Sequence, residues 1–197
     1  SLRMKTFAQE QGEVLSDAQF AQLRMSKQRH YLDAVRAGAV SLRPGVERLL
    51  RELQARAIAQ WIVTSSGGPS VSALLDNLFP GGEHPFAGVI SADDVSRHKP
   101  NPDPYLKALE CSNTDPDSAL AFEDSTPGLR SAGAAGLRCL LMPSPWDQEL
   151  HRYQDQAVAV LDHLGSAQIP CTVSSGPPCL DGLVTLEYLQ MLFVLPD

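Results

Sequence analysis

The chain has 197 residues, 43% of them apolar, and a formal net charge of −7. That length allows one large domain or a core with a small appendage, and the apolar fraction suffices for a hydrophobic core. The acidic balance without a basic stripe argues against a nucleic-acid partner, and the apolar runs are too short to span a bilayer.

The first fifteen residues or so predict one short helix, with Leu2, Met4, Phe7 and Ala8 in a weak helical pattern over about 2–11. Ser16-Asp17 reads as an N-cap, and Phe20, Leu23, Met25, Tyr31, Leu32 and Val35 extend a longer helix to about Ala37, with Gly38 as its stop. Leu42-Arg43-Pro44-Gly45 is a break. Val46, Leu49, Leu50 and Leu53 then mark an amphipathic helix. From there strand and helix alternate. Strands are predicted at 57–63, 86–90, 118–122, 137–142 and 158–161, and helices at 71–78, from Asn101-Pro102-Asp103-Pro104 to Leu109, and after Ser125-Thr126-Pro127-Gly128. Residues 165–178, rich in Pro, Ser and Gly, read as a loose connector, and 183–195 as a closing helix. Repeated βα units predict an α/β fold with a doubly wound parallel sheet.

In such a sheet, ligands bind at the carboxyl ends of the strands. Three stretches put chemistry there. Thr64 follows the apolar Trp61-Ile62-Val63 and precedes Ser65-Ser66-Gly67-Gly68, a hydroxyl and free N–H groups that suit phosphate, although a plain helix N-cap reads the same way. Lys99 sits before Pro100-Asn101-Pro102-Asp103, where the following proline favours an extended segment and a cation aimed at carboxylates or phosphate; alone it is equally a surface lysine. Glu123-Asp124 ends the strand Ala119-Leu120-Ala121-Phe122. Adjacent carboxylates are costly to desolvate without a positive partner, and Mg²⁺ suits few carboxylates plus phosphate. His30, His84, His98, His151 and His163 show no metal-ligand spacing. Cys111, Cys139, Cys171 and Cys179 are spread without a CxxC pair, and Ser1-Leu2-Arg3-Met4-Lys5 lacks the apolar stretch of a signal peptide, so reduced thiols are expected.

Taken in order, Thr64, then Lys99-Pro100-Asn101-Pro102-Asp103, then Glu123-Asp124-Ser125 with Gly128 resemble motifs two, three and four of the haloacid dehalogenase superfamily. The resemblance is closest to its β-phosphoglucomutase-like and CbbY-like members, and Leu42-Arg43-Pro44-Gly45-Val46 resembles their entry from cap to core. It implies a Rossmann-like core over residues 43–197 and part of an α-helical cap over 1–42. It further implies a Mg²⁺-dependent phosphatase acting on a small sugar phosphate through an aspartyl-phosphate. Thr64 and the Ser65 N–H would then bind the phosphoryl oxygens, Lys99 would neutralise the reacting groups, Asp124 with Glu123 would hold Mg²⁺, and Lys27 would touch the distal end of the substrate from the cap. The family's nucleophile, the first Asp of an Asp-x-Asp on a central strand between those ending at Val63 and Phe122, has no match here, so an upstream segment is expected to carry it. Without that strand the two neighbouring edges would stay unpaired and the product inactive. A phosphosugar mutase and a catalytically silent binding protein remain alternatives, whereas dehalogenation has no role for a metal-binding carboxylate pair. A monomer in the cytoplasm or the plastid stroma is expected.

Overall fold

The computed structural model describes residues 15–194, so the short helix expected over 2–11 lies outside the described residues. In chain order its elements are α1 (Asp17–Arg36), α2 (Val46–Ala55), β1 (Gln60–Val63), α3 (Gly68–Leu78), β2 (Phe86–Ile90), α4 (Asp103–Ser112), β3 (Leu120–Glu123), α5 (Thr126–Ala134), β4 (Arg138–Leu141), β5 (Ala159–Leu161), β6 (Val173–Ser175) and α6 (Leu186–Phe193). The described residues divide into two compact units, one up to residue 41 together with 69–83, the other 42–68 together with the residues from 84 on.

In the first unit, Ser16 starts α1 with a reciprocal capping box. Its side chain accepts from the Gln19 N–H, and its own N–H donates to Gln19 Oε1 at 2.8 Å. Gly38, at φ +69°, follows the helix end, and its N–H donates to Val35 O at 2.9 Å. Gln28 reaches Ser70 Oγ at 3.5 Å, and Val35 is fully buried.

The second unit begins at the predicted break, which is a built corner. Arg43 donates to Met142 O at 3.1 Å and also to Asp162 O, and Leu164 N–H donates to Pro44 O at 3.2 Å. Gly45, at φ +84°, packs so tightly that a Cβ there would lie 2.1 Å from Gly165 O. Helix α2 then presents Leu49 and Leu53 inward.

β1 pairs in parallel with β2, while β3, β4 and β5 form a second parallel ladder to which β6 adds antiparallel. Successive side chains on a strand point to opposite faces, and both faces of the larger sheet are covered, as in a doubly wound fold. Leu140, Ala159 and Leu161 meet Leu49 and Leu53 of α2 and Tyr188, Leu189 and Leu192 of α6. Ala121, Cys139, Leu141 and Val160 meet Tyr105 of α4, Leu129 and Ala132 of α5, and Ala135 just after it. Among the described residues the two sheets are not joined: β1 pairs with β2 alone, and β3 with β4 alone.

Several boundaries differ from the sequence reading. The first strand is shorter than 57–63 because Ala57 adopts φ 54° and Ile58 N–H donates back to Leu53 O at 3.0 Å, which still belongs to the exit of α2. The strand expected from Ser118 starts at Leu120, since 116–118 form a 3₁₀ turn opened by Pro116. Helix α4 runs three residues beyond Leu109 to Ser112, where Asn113 closes it in the left-handed region. The stretch read as a loose connector contains β6. Three residues with one apolar side chain, Val173, show no periodicity, and an edge strand needs only one neighbour.

Candidate functional site

The carboxyl ends of β1 and β3 carry the residues singled out by sequence, and the backbone beyond each strand is held. Thr64 N–H donates to Ile90 O at 2.9 Å, extending the β1/β2 ladder past Val63. Likewise Met142 N–H donates to Glu123 O at 2.8 Å and Ser144 N–H to Asp124 O at 2.9 Å, which pins the backbone of the acidic pair. The two carboxylates then face different surroundings, because adjacent residues on extended chain point apart. Glu123 is buried and Asp124 is exposed.

Lys99 joins the two strand ends. Its Nζ donates to Val63 O at 2.8 Å and forms an ion pair with Glu123 Oε1. Only 9% of the Lys99 side chain and 6% of the Glu123 side chain are exposed, so this pair is desolvated on both sides. Tyr105, from α4, completes the cluster: its hydroxyl donates to the same Oε1 at 2.6 Å, and Lys99 Nζ sits 4.8 Å from its ring centroid. Burial and the neighbouring Glu123 charge hold the Tyr105 phenol well above its ordinary range, so it remains a donor at neutral pH. Gly128, in the first turn of α5, lies directly under this carboxylate; a Cβ there would fall 1.8 Å from Glu123 Oε2. Lys99 itself stands in a turn, with a cis peptide to Pro100, and not in the extended segment expected.

At the end of β1, Thr64 Oγ1 accepts from Ser66 N–H at 3.1 Å, and Ser65 is exposed. The Gly68 N–H at the start of α3, expected to remain open for an anion, donates to Asp93 Oδ2 at 2.8 Å. A neighbouring capping box around Ser91 and Asp94 orders that 3₁₀ turn, and the Ser91 hydrogen bond lowers the Asp94 carboxyl below its usual range. Lys27 is exposed on α1, in the other unit.

The donor set can be tested against Mg²⁺. Among the described residues no group of three or more His, Cys, Asp or Glu side chains is arranged to hold a metal. Asp124 offers an exposed carboxylate, whereas Glu123 spends Oε1 on Lys99 and Tyr105. One accessible carboxylate at a strand end fits the ion's habit of keeping waters and taking one or two carboxylates plus phosphate oxygens.

Three participants escaped the sequence reading. Tyr105 is six residues beyond Lys99 with no motif to mark it. Asp93 lies 25 residues from the N–H that it caps. Asp147 accepts from Thr126 N–H at 2.8 Å and from Thr126 Oγ1 at 3.1 Å, supplying the cap that Ser125 does not make for α5. A capping partner 21 residues away leaves no local signal; the one hint is an Asp within the loop that follows β4.

Residues 4–142 match the model of a family described as haloacid dehalogenase-like hydrolase. The chain belongs to that family. Protein CbbY of Rhodobacter capsulatus is 38% identical over 146 residues, which make up 73% of this chain and 64% of that protein. The crystal structure of CbbY from Rhodobacter sphaeroides in complex with xylulose-(1,5)-bisphosphate superposes with a TM-score of 0.71 at 30% identity, covering 84% of this chain and 73% of that one. A β-phosphoglucomutase from Clostridium difficile, at 17% identity, shares the fold with a TM-score of 0.66 over 91% of this chain and 69% of that one. This haloacid dehalogenase-like chain spans between 54% and 64% of the length of the CbbY relatives it matches. Among the described residues no helix is long and apolar enough to cross a membrane.

Proposed function

We propose that this chain belongs to a Mg²⁺-dependent phosphatase that hydrolyses a small sugar phosphate. The observation that carries the reading is Lys99, held between the ends of β1 and β3 by Val63 O and Glu123, which sets a buried cation between Thr64 and Asp124. Phosphoryl transfer needs mainly positioning and charge neutralisation, and this is the arrangement that supplies both. Thr64 and the Ser65 N–H would orient phosphoryl oxygens. Lys99 would offset the negative charge of the attacking and transferring groups, and Glu123 with Tyr105 would keep its ammonium from swinging out to solvent. Asp124 would hold Mg²⁺ directly, with Glu123 no nearer than through water. The ion, when bound, would neutralise charge on the phosphate. Lys27 would contact the far end of the substrate. Similarity to CbbY, whose crystal structure holds a sugar bisphosphate, supports a phosphosugar as the substrate class.

The nucleophile of this reading is an Asp on a strand lying between β1 and β3. Support comes from the two parallel edges left unpaired among the described residues and from the Lys99 ammonium bonded to both strand ends. The test is phosphate release from a panel of sugar mono- and bisphosphates, by the 197-residue chain and by a form extended upstream in its gene. Mg²⁺-dependent release by the extended form, lost in Asp124→Asn with unchanged thermal stability, is expected. Full activity of the 197-residue chain, or activity indifferent to chelation, would refute the mechanism.

A further inference from the structure

Cys171 and Cys179 lie apart from the site at the strand ends, and their placement has no use in phosphoryl transfer. Both backbones are tied to one residue. Cys171 N–H donates to Gly182 O at 2.8 Å, and Gly182 N–H donates to Cys179 O at 3.2 Å. Both side chains pack, half-buried, against the same core cluster as α2 and α6. The two thiols are close enough to shift one another, Cys179 favouring the Cys171 thiolate. The other two cysteines are placed differently: Cys111 is exposed and Cys139 is buried. We propose that Cys171 and Cys179 are a reversible thiol–disulfide site whose oxidation closes the loop that carries β6.

The oxidant is a small-molecule disulfide of the glutathione class. Cys171, after losing its proton to solvent, attacks one sulfur of that disulfide and expels the first thiolate. Cys179 then loses its proton and attacks the Cys171 sulfur of the mixed disulfide, expelling the second thiolate. The two released thiolates take up two protons, so the protein pair gives up two electrons and the small disulfide gains them. The order follows from the environments: burial pushes both thiols up, and with the neighbouring Cys171 it takes Cys179 to about 12, whereas Cys179 acts on Cys171 in the lowering direction and favours its thiolate. Attack is therefore slow at neutral pH and quickens in mild alkali. The closed loop encloses β6, which pairs with β5 and whose Ser174 donates to Val160 O at 3.2 Å.

The test treats the reduced, purified protein with oxidised glutathione at pH 8, then alkylates and maps peptides. Expected are the mass loss of two hydrogens, a linked peptide pair containing Cys171 and Cys179, and alkylation of Cys111 alone without denaturant. Closing so short a loop should raise Tm by roughly 5–10 °C, a rise abolished in Cys171→Ser and Cys179→Ser, reversed by dithiothreitol and kept in Cys111→Ser. Should a serine variant fail to fold, the wild-type peptide map decides. Both thiols alkylating fully after oxidant, a persistent mixed disulfide, or a link through Cys111 would overturn the proposal.

Discussion

Replacing Lys99 with methionine keeps much of the side-chain volume and removes the charge. Glu123, with 6% of its side chain exposed, would then keep one hydroxyl bond from Tyr105 and lose its cation. An uncompensated buried charge costs about 3–5 kcal/mol, well above the value of a surface pair. For a chain of this size that corresponds to a fall in Tm of roughly 6–20 °C. Glu123→Gln alone strands Lys99 against Val63 O and should also destabilise. The double variant Lys99→Met with Glu123→Gln removes both charges, leaves the amide oxygen for Tyr105, and should recover much of the loss. Thermal and urea denaturation of the four proteins close the cycle. A cost under about 1 kcal/mol for Lys99→Met, or no recovery in the double variant, would refute the claim that a desolvated ion pair joins the two strand ends.

Gly128→Ala forces a Cβ to within 1.8 Å of Glu123 Oε2 and should cost about 1–3 kcal/mol in denaturation while releasing Lys99 from its partner. Asp147→Ala removes the acceptor of Thr126 N–H and should lower stability by about 1 kcal/mol, with Asp147→Asn recovering part of it. Burial lifts the Tyr188 phenol to about 12 and the Tyr105 phenol well above its ordinary 10.0. Because both are raised above their unfolded values, their contribution is complete below pH 10 and is lost as the pH climbs towards 12 and beyond. A spectrophotometric titration should show Tyr105 and Tyr188 ionising only as far-UV circular dichroism collapses.

The order of helices and strands was legible because burial writes itself into local pattern. The Ser16 capping box, the i, i+4 spacing of the inward Leu49 and Leu53 of α2, and the continuous apolar runs of β2 and β4 are all signals between near neighbours along the chain. Strand ends followed by Thr64 and by Glu123-Asp124 were legible for the same reason, since an apolar run that stops at polar residues marks where a parallel strand leaves the core. That β6 forms at all was decided by the open edge of β5, because its own residues carry one inward apolar side chain. The roles within the site were decided only in three dimensions. Glu123 and Asp124 are chemically near-identical neighbours on paper. The fold buries one against Lys99, Tyr105 and Gly128 and leaves the other in water, because side chains one residue apart on a strand end face opposite ways. The Asp93 and Asp147 carboxylates that meet backbone N–H groups 25 and 21 residues away belong to the same class. Periodicity is a property of neighbours along the chain, and these partners become neighbours only once the sheets and helices have packed.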